Sequence, residues 1–427
     1  MKAKDKLISG LLGVGAIKLL SIPVGLLSSV ILARTLGPDS FGQYAFIMAL
    51  IPILSLPVNG GVQQLVTREV ATLRNDQDWS RYKGLLHSAH IWVLGLSALL
   101  VGACYFIFSS SVISLKSDKW HLLPIAILIV PLLGFMSVRA GLIKGLGRPV
   151  LSEIPQQLIV PILTFVLILV FWQLNILNAS NAIWANIYSA LFGFVVASLV
   201  LRFVNPSEIK QVLPSYKLVS WFKSLLPFTA LAAINLVNVQ VGIIVVGMLS
   251  SNEQVAALRI AERGSQLVLL SLTIVNMVVA PYFVDAYKKG DRNILREIAQ
   301  KTARFAFLIS LPVALVFVFA GEPLIGLIFG QEYRSSSYTL LLILSLAQLV
   351  NVFFGSVGYL LVMTGHEKDS LFGQVLALTL NILISLVLVP FWGATGAAIA
   401  VFVSIFVWNA VLLMLVIKRL GIRCSVF

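Results

Sequence analysis

Gln254-Val-Ala-Ala-Leu-Arg259-Ile-Ala-Glu262-Arg263-Gly-Ser-Gln266 runs without a break into Leu267-Val-Leu-Leu-Ser-Leu-Thr-Ile-Val-Asn-Met-Val-Val279. The apolar run before it, Gly242 to Leu249, and the one that ends it are both of membrane grade, so Arg259, Glu262 and Arg263 open a helix that enters a bilayer. An arginine at mid-membrane costs about 2.5–3.5 kcal/mol on insertion scales, and such residues normally face a bundle interior or a water-filled cavity. Spaced i, i+3 and i+4, the three share one helix face, where Glu262 partly neutralises two guanidiniums. A polar stripe on an otherwise lipid-compatible helix predicts a wet interior, and a wet interior predicts that something passes through it.

The rest of the chain supports a membrane setting. Of its 427 residues 59% are hydrophobic and 11% charged, and the mean hydropathy is +0.98, outside the range of soluble domains of this size. A spanning helix needs about 20 apolar residues. About twelve such segments recur, over 10–33, 43–65, 85–108, 122–143, 151–172, 182–201, 225–249, 255–281, 305–329, 338–363, 371–390 and 394–417. The expected fold is an all-α integral membrane protein of about twelve transmembrane helices, in two six-helix lobes around a central cavity. Residues 1–204 form the first lobe, 205–223 a cytoplasmic linker containing Pro206 and Pro214, and 224–427 the second lobe. A shift of 218 residues places Gly147 on Gly365 and Gln156 on Gln374, which fits a duplicated transporter.

The net charge of +14 raises nucleic acid as a partner, and the placement of the cations decides against it. Arg34, Lys116, Lys119 and Arg334 fall outside the cytoplasmic segments, and Lys18, Arg139, Arg259 and Arg263 fall within spans. The other 23 of 31 Lys and Arg lie in the two tails and the even-numbered loops. This positive-inside bias puts both termini in the cytoplasm and makes anionic lipid, not DNA, the basic surface's partner. The basic start Met1–Lys6 invites a signal-peptide reading, but Lys18 interrupts the apolar run and no small-residue cleavage site follows. Cys104 and Cys424 imply no disulfide.

Several positions carry a more specific expectation. Pro52, Pro57 and Asn59-Gly60-Gly61 predict a kink whose freed carbonyls can line a cavity, with Gln63-Gln64 just beyond it. Lys18 either lines a cavity or snorkels to the headgroups, and the same choice applies to Arg139. His87 and His90 have no carboxylate or third ligand near them in sequence, so no metal site is expected. Phe283–Arg304, with Ile294, Leu295, Ile298 and Phe305 at helical spacing, is expected to lie along the membrane surface. Asn178-Ala-Ser180 is a lone formal sequon. The loop Ser109–His121 is the longest on the external side and carries no Asp-x-Asp, which argues against a membrane glycosyltransferase or polymerase. With no phosphate-binding loop and no nucleophile–base pair, the chain reads as a non-enzyme with no cofactor.

Leu32-Ala-Arg34-Thr-Leu-Gly37-Pro38-Asp39-Ser40-Phe-Gly-Gln-Tyr-Ala-Phe46 contains a tight turn at Gly37-Pro38 and a helix cap in Asp39 or Ser40. Ile328-Phe-Gly-Gln-Glu-Tyr333 precedes the tenth span, and Val389-Pro-Phe-Trp-Gly-Ala-Thr-Gly-Ala-Ala-Ile-Ala400 opens the twelfth. Together these strings resemble the polysaccharide and O-antigen flippases, the lipid-linked oligosaccharide branch of the multidrug/oligosaccharidyl-lipid/polysaccharide exporter superfamily. The resemblance implies a bacterial inner-membrane flippase that moves a polyprenyl-pyrophosphate-linked oligosaccharide, an O-antigen, capsule or exopolysaccharide repeat unit, from the cytoplasmic to the outer leaflet by alternating access. It also implies membrane lipids as partners, and a polysaccharide polymerase and chain-length regulator as further ones. That family often carries an acidic residue near the position of Gln240; here it is an amide, which puts ion coupling through this helix in doubt.

The candidate site then follows from charge. Lys18, Arg34, Arg139, Arg259 and Arg263 are the cations for a pyrophosphate, which a guanidinium fork holds through paired charge-assisted hydrogen bonds. Glu262 is their charge partner or an ion-coupling carboxylate, and Asn235, Asn238, Gln240 and Gln266 are the amides available to sugar hydroxyls. Membrane potential and proton or sodium antiport stand as alternative energy sources. A cation-coupled multidrug exporter and a non-transporting scaffold for polysaccharide enzymes are the competing functions; the first should have an acidic cavity, and this one reads as cationic.

Overall fold

The computed structural model describes residues 2–109, 119–422 and 424–426, with side chains from Gly13 onward except those of Ala280 and Pro281. Most of the Ser109–His121 loop, Lys116 among it, and the basic Met1–Lys6 side chains lie outside the described residues. The chain divides into two compact units, residues 1–36 with 47–236 and residues 37–46 with 237–427. Among the described residues all regular structure is helical, and the protein is a multi-pass membrane protein.

α1 (Lys2–Leu54) is broken by Gly37 at φ 72°, a left-handed value that only glycine adopts without strain. The first unit continues with α2 (Leu56–Asn59), α3 (Val62–Asn75), α4 (Trp79–Ser109), α5 (Leu123–Ala126) and α6 (Ile129–Gly145). Then come α7 (Pro149–Ile154), a π-helical turn at Pro155–Ile159, α8 (Val160–Gln173) and α9 (Ala179–Val204). α6 is the centre of this unit because its glycines let neighbours approach. A Cβ on Gly134, Gly141 or Gly145 would come within 2.6, 2.9 and 2.6 Å of Val58, Gln63 and Val70 respectively.

α10 (Leu218–Leu249) begins seven residues before the expected start of span seven, because Pro227 lies in its interior rather than at its first turn. The connection before it is docked, not loose: Tyr82 Oη donates to Asn205 Oδ1 at 2.7 Å, Ser80 Oγ to Leu213 O at 2.6 Å and Lys83 Nζ to Val212 O at 2.8 Å. The sequon residue Asn178 has a local role, accepting from Asn181 N as the N-cap of α9 at 2.8 Å.

The second unit holds α11 (Asn252–Lys288), α12 (Arg292–Ile328), α13 (Arg334–Phe354), α14 (Val357–Met363) and α15 (Glu367–Leu420), the last broken at Gly393. Leu272, Phe283, Leu295, Val352, Leu360 and Leu412 anchor its core. Ser271 and Ser310 join α11 to α12 through a 2.5 Å hydroxyl pair, both residues buried. The C-terminal segment closes this unit, with Arg304 Nε donating to Val426 O at 2.9 Å.

Nine stretches among the described residues are long and apolar enough to cross a membrane, or ten with α11, which bends by 48° between Val279 and Tyr282. Two of the nine are helices broken at Gly37 and Gly393, so counting their arms separately recovers the twelve expected spans. Three local expectations change. Span ten is interrupted at Gly355, φ 72°, between α13 and α14. Phe283–Arg304 is not a separate surface helix: α11 runs to Lys288, a turn at Gly290 follows, and α12 continues unbroken from Arg292 because no breaker intervenes before Pro312. The carbonyls freed at the Gly60-Gly61 kink are taken up by side chains, Gly60 O by Thr229 Oγ1 at 2.7 Å and Pro57 O by Trp92 Nε1 at 3.2 Å.

Candidate functional site

In the second unit, the start of α11 is fixed before its charges are reached. Ser251 caps the helix, and Asn252 Nδ2 donates to Asp39 Oδ1 at 2.9 Å. A Cβ on Gly42 would lie 1.8 Å from Asn252 O, so that position needs glycine. Phe41 and Tyr333 meet edge to face at 6.4 Å, and Gln254 reaches the break at Gly393. The three strings that carry the family resemblance therefore converge on one helix end.

One turn further on, Arg259 Nη1 donates to Glu262 Oε2 at 3.2 Å, both side chains being largely shielded from solvent. Arg263 follows at i+4, within Coulombic range of Arg259, Glu262 and Tyr44. Its Nε is buried with no hydrogen-bond partner among the described residues. An unmet buried donor costs about 1–3 kcal/mol, more when charged. With Glu262 committed to Arg259, the triad carries one surplus positive charge and one donor waiting for an acceptor. Gly264 lets α13 close beside it, since a Cβ there would sit 2.6 Å from Leu341.

The amides divide. Gln240 Oε1 is buried without a partner among the described residues, Asn238 Nδ2 donates to Gln374 O at 3.2 Å, and Gln266 is exposed. Asn235, in the first unit, donates to Leu231 O of its own helix at 2.9 Å.

In the first unit, Arg139 is held by that unit's own groups. Nε donates to Ser198 Oγ at 2.6 Å, Nη1 to Phe135 O at 3.2 Å, and the guanidinium stands 4.2 Å over the Phe194 ring. His90 accepts from Arg139 Nη1 at 3.3 Å through Nε2; its Nδ1 must carry the proton, since its other contact, Leu86 O at 2.6 Å, can only accept. Arg34 lies exposed on α1, three residues before the Gly37 break.

Lys18 lines a cleft of about 550 Å³ with Gln63, Gln64, Thr67, Arg68, Lys144, Glu153, Gln156, Gln157 and Phe228, and Arg139 is not among these residues. Lys144 pairs with Glu153 at 3.3 Å, and Arg68 pairs with Glu69 at 2.7 Å while lying 5.3 Å over Phe228. Sequence reasoning singled out Lys18 alone of the cations here. The signal for the rest was present as two Gln-Gln pairs, 63–64 and 156–157, each in apolar surroundings.

A family model described as polysaccharide biosynthesis protein matches residues 9–287, well over half of the chain. The chain belongs to the polysaccharide biosynthesis protein family. A second model, MatE, matches residues 230–387. Among curated relatives of this polysaccharide biosynthesis protein is Agl15 of the archaeon Haloferax volcanii, described as a probable low-salt glycan biosynthesis flippase. It is 21% identical over 405 residues, covering 89% of this chain and 77% of the relative. An inward-facing multidrug resistance MATE family transporter of the MOP superfamily matches with a TM-score of 0.77 at 16% identity, over 95% of this chain and 98% of that one. The lipid II flippase MurJ, in an inward closed conformation, matches with a TM-score of 0.74 at 14% identity, over 94% and 87%. At these identities the likeness shows the fold: that of the MOP-superfamily transporters.

Proposed function

We propose that the chain is a flippase that carries a polyprenyl-pyrophosphate-linked oligosaccharide from the cytoplasmic to the outer leaflet by alternating access, with both termini cytoplasmic. The observation that carries this reading is Arg263, a half-buried arginine whose buried Nε is unpartnered among the described residues, beside the Arg259–Glu262 pair on a membrane-spanning helix. A pyrophosphate supplies the acceptors that this group lacks, and its negative charge matches the surplus on the triad. The flippase description of Agl15 and the polysaccharide family support the substrate class. Moving one negative charge outward against an inside-negative potential is favourable by about 2.3 kcal/mol per 100 mV, so the substrate's own charge can drive export. The role is transport rather than catalysis, in the cytoplasmic membrane of a cell that builds a surface glycan, with that glycan's polymerase and chain-length regulator acting downstream.

The test is the content of lipid-linked oligosaccharide in a deletion strain of the host, measured by mass spectrometry. Accumulation in the deletion, reversed by the wild-type chain and not by Arg263→Ala at matched levels, is the expected result. No accumulation in the deletion overturns the substrate class. The MatE match favours one second reading, a cation-coupled multidrug exporter. It requires Glu262 to exchange its bond to Arg259 for a cation, and the same deletion strain would then become drug-sensitive without accumulating any lipid-linked glycan.

A further inference from the structure

The Lys18 cleft of the first unit is a second polar site, and its chemistry differs from that of the Arg263 triad. Four side-chain amides line it, Gln63 and Gln64 from α3 and Gln156 and Gln157 from the π-helical turn, and none of the four makes a hydrogen bond among the described residues. Each primary amide offers two donors and an acceptor, the complement of sugar hydroxyls that both give and receive. None of the four is fully buried, and Gln64 is exposed, so all four are open to a polar ligand entering the cleft.

The backbone accounts for how two adjacent glutamines reach one cleft. Pro155 and Pro161 supply no N–H, so the helix cannot keep its regular i→i−4 ladder through this stretch, and Val160 N bonds instead to Pro155 O. The resulting π-turn is a local widening of the kind found at functional positions in helices. The charges are also sorted. Lys144 is matched by Glu153 and Arg68 by Glu69, whereas Lys18 Nζ has no acid partner among the described residues. Phe228, covered on one side by Arg68, adds an aromatic wall. The cleft thus presents four free amides, an aromatic ring and one unmatched cation.

We propose that this cleft is the glycan subsite of the transported lipid, the amides taking sugar hydroxyls and Lys18 taking a carboxylate on the glycan. The proposal rests on the flippase reading, and it assigns to the first unit a recognition role separate from the pyrophosphate contact of Arg263.

Three lipids test it against the full-length chain in nanodiscs, with binding read by native mass spectrometry: a bare polyprenyl pyrophosphate, the same lipid bearing a neutral disaccharide, and one bearing a disaccharide that ends in a hexuronic acid. The order of affinity expected is acidic glycan, neutral glycan, bare lipid. Gln156→Leu/Gln157→Leu should weaken both glycan-bearing lipids about tenfold and leave the bare lipid within about twofold. Lys18→Gln, a change at an exposed side chain, should remove the preference for the acidic glycan alone. Arg263→Ala should weaken all three lipids together, so failure of the pyrophosphate contact is read separately from failure of the cleft. Glycan-bearing lipids that bind no better than the bare lipid, or a preference that survives both cleft variants in folded protein, would overturn the proposal.

Discussion

Gln254 Oε1 accepts the backbone N–H of Ala394 at 2.7 Å, at the point where α15 breaks. The break leaves the first amides of the second half of α15 without intrahelical acceptors, and a side chain from α11 supplies one. Gly393 is held at φ 55°, ψ −133°, and a Cβ on it would stand 1.7 Å from that same oxygen. Gln254→Ala should therefore lower stability by about 1–3 kcal/mol through the orphaned amide, and Gly393→Ala should cost more through backbone strain added to the clash. In thermal unfolding of purified protein the double variant should lose less than the two single losses summed, since Gln254→Ala removes the atom that Gly393→Ala strikes. Additive losses would show that the two residues act independently.

Arg139 has its donors spent on Ser198, Phe135 O and His90, under the Phe194 ring. Arg139→Gln should accordingly lower thermal stability, by about 1–3 kcal/mol from the unmet partners and the lost ring contact. Ser198→Ala should do the same to a smaller extent. Binding of polyprenyl pyrophosphate should be unchanged in both. An Arg139→Gln protein that melts like wild type yet no longer binds the lipid would return this arginine to the pyrophosphate site.

Cys424 sits in the core of the second unit, in the segment that follows α15, and burial pushes its thiol up to about 12. The thiolate is the reactive form, so raising the thiol's pKa lowers reactivity at every pH below that value. A maleimide at about pH 8, where a free thiol at about 8.5 is already partly ionised, should leave Cys424 unmodified in the folded protein and label it once detergent denatures the chain. Rapid labelling of the native protein, assigned by peptide mass, would mean that the Arg304–Val426 closure opens readily.

Much of this architecture was legible in the sequence because membrane helices announce themselves by length. The break at Gly37 stands next to Pro38 and that at Gly393 three residues after Pro390, and both were expected as span boundaries. The break at Gly355 has no proline beside it, and a lone glycine in an apolar run carries no comparable signal. Arg259, Glu262 and Arg263 were visible as one face because their spacing is local. The partners of Arg139 lie 49 and 59 residues away, at His90 and Ser198, and no periodicity in the chain points to them. Thr229 closing over Gly60 O is a contact of the same kind, across 169 residues. Gln63-Gln64 was read as part of a kink and Gln156 as part of an internal repeat. Only the folded unit shows that Gln63, Gln64, Gln156 and Gln157 line one cleft with Lys18. Gly147 and Gly365, which the 218-residue shift places on each other, take φ 84° and 82°.

The most direct measurement is transport itself. Full-length protein reconstituted in sealed vesicles is given polyprenyl-pyrophosphate-linked disaccharide, and the glycan reaching the opposite leaflet is read with a membrane-impermeant glycan-cleaving enzyme under an imposed potential. Wild-type protein should expose the glycan faster as the potential draws negative charge in that direction, and Arg263→Ala at equal reconstitution should fall to the rate of protein-free vesicles. Equal rates for wild type and Arg263→Ala, or no exposure above protein-free vesicles with either, would contradict the account.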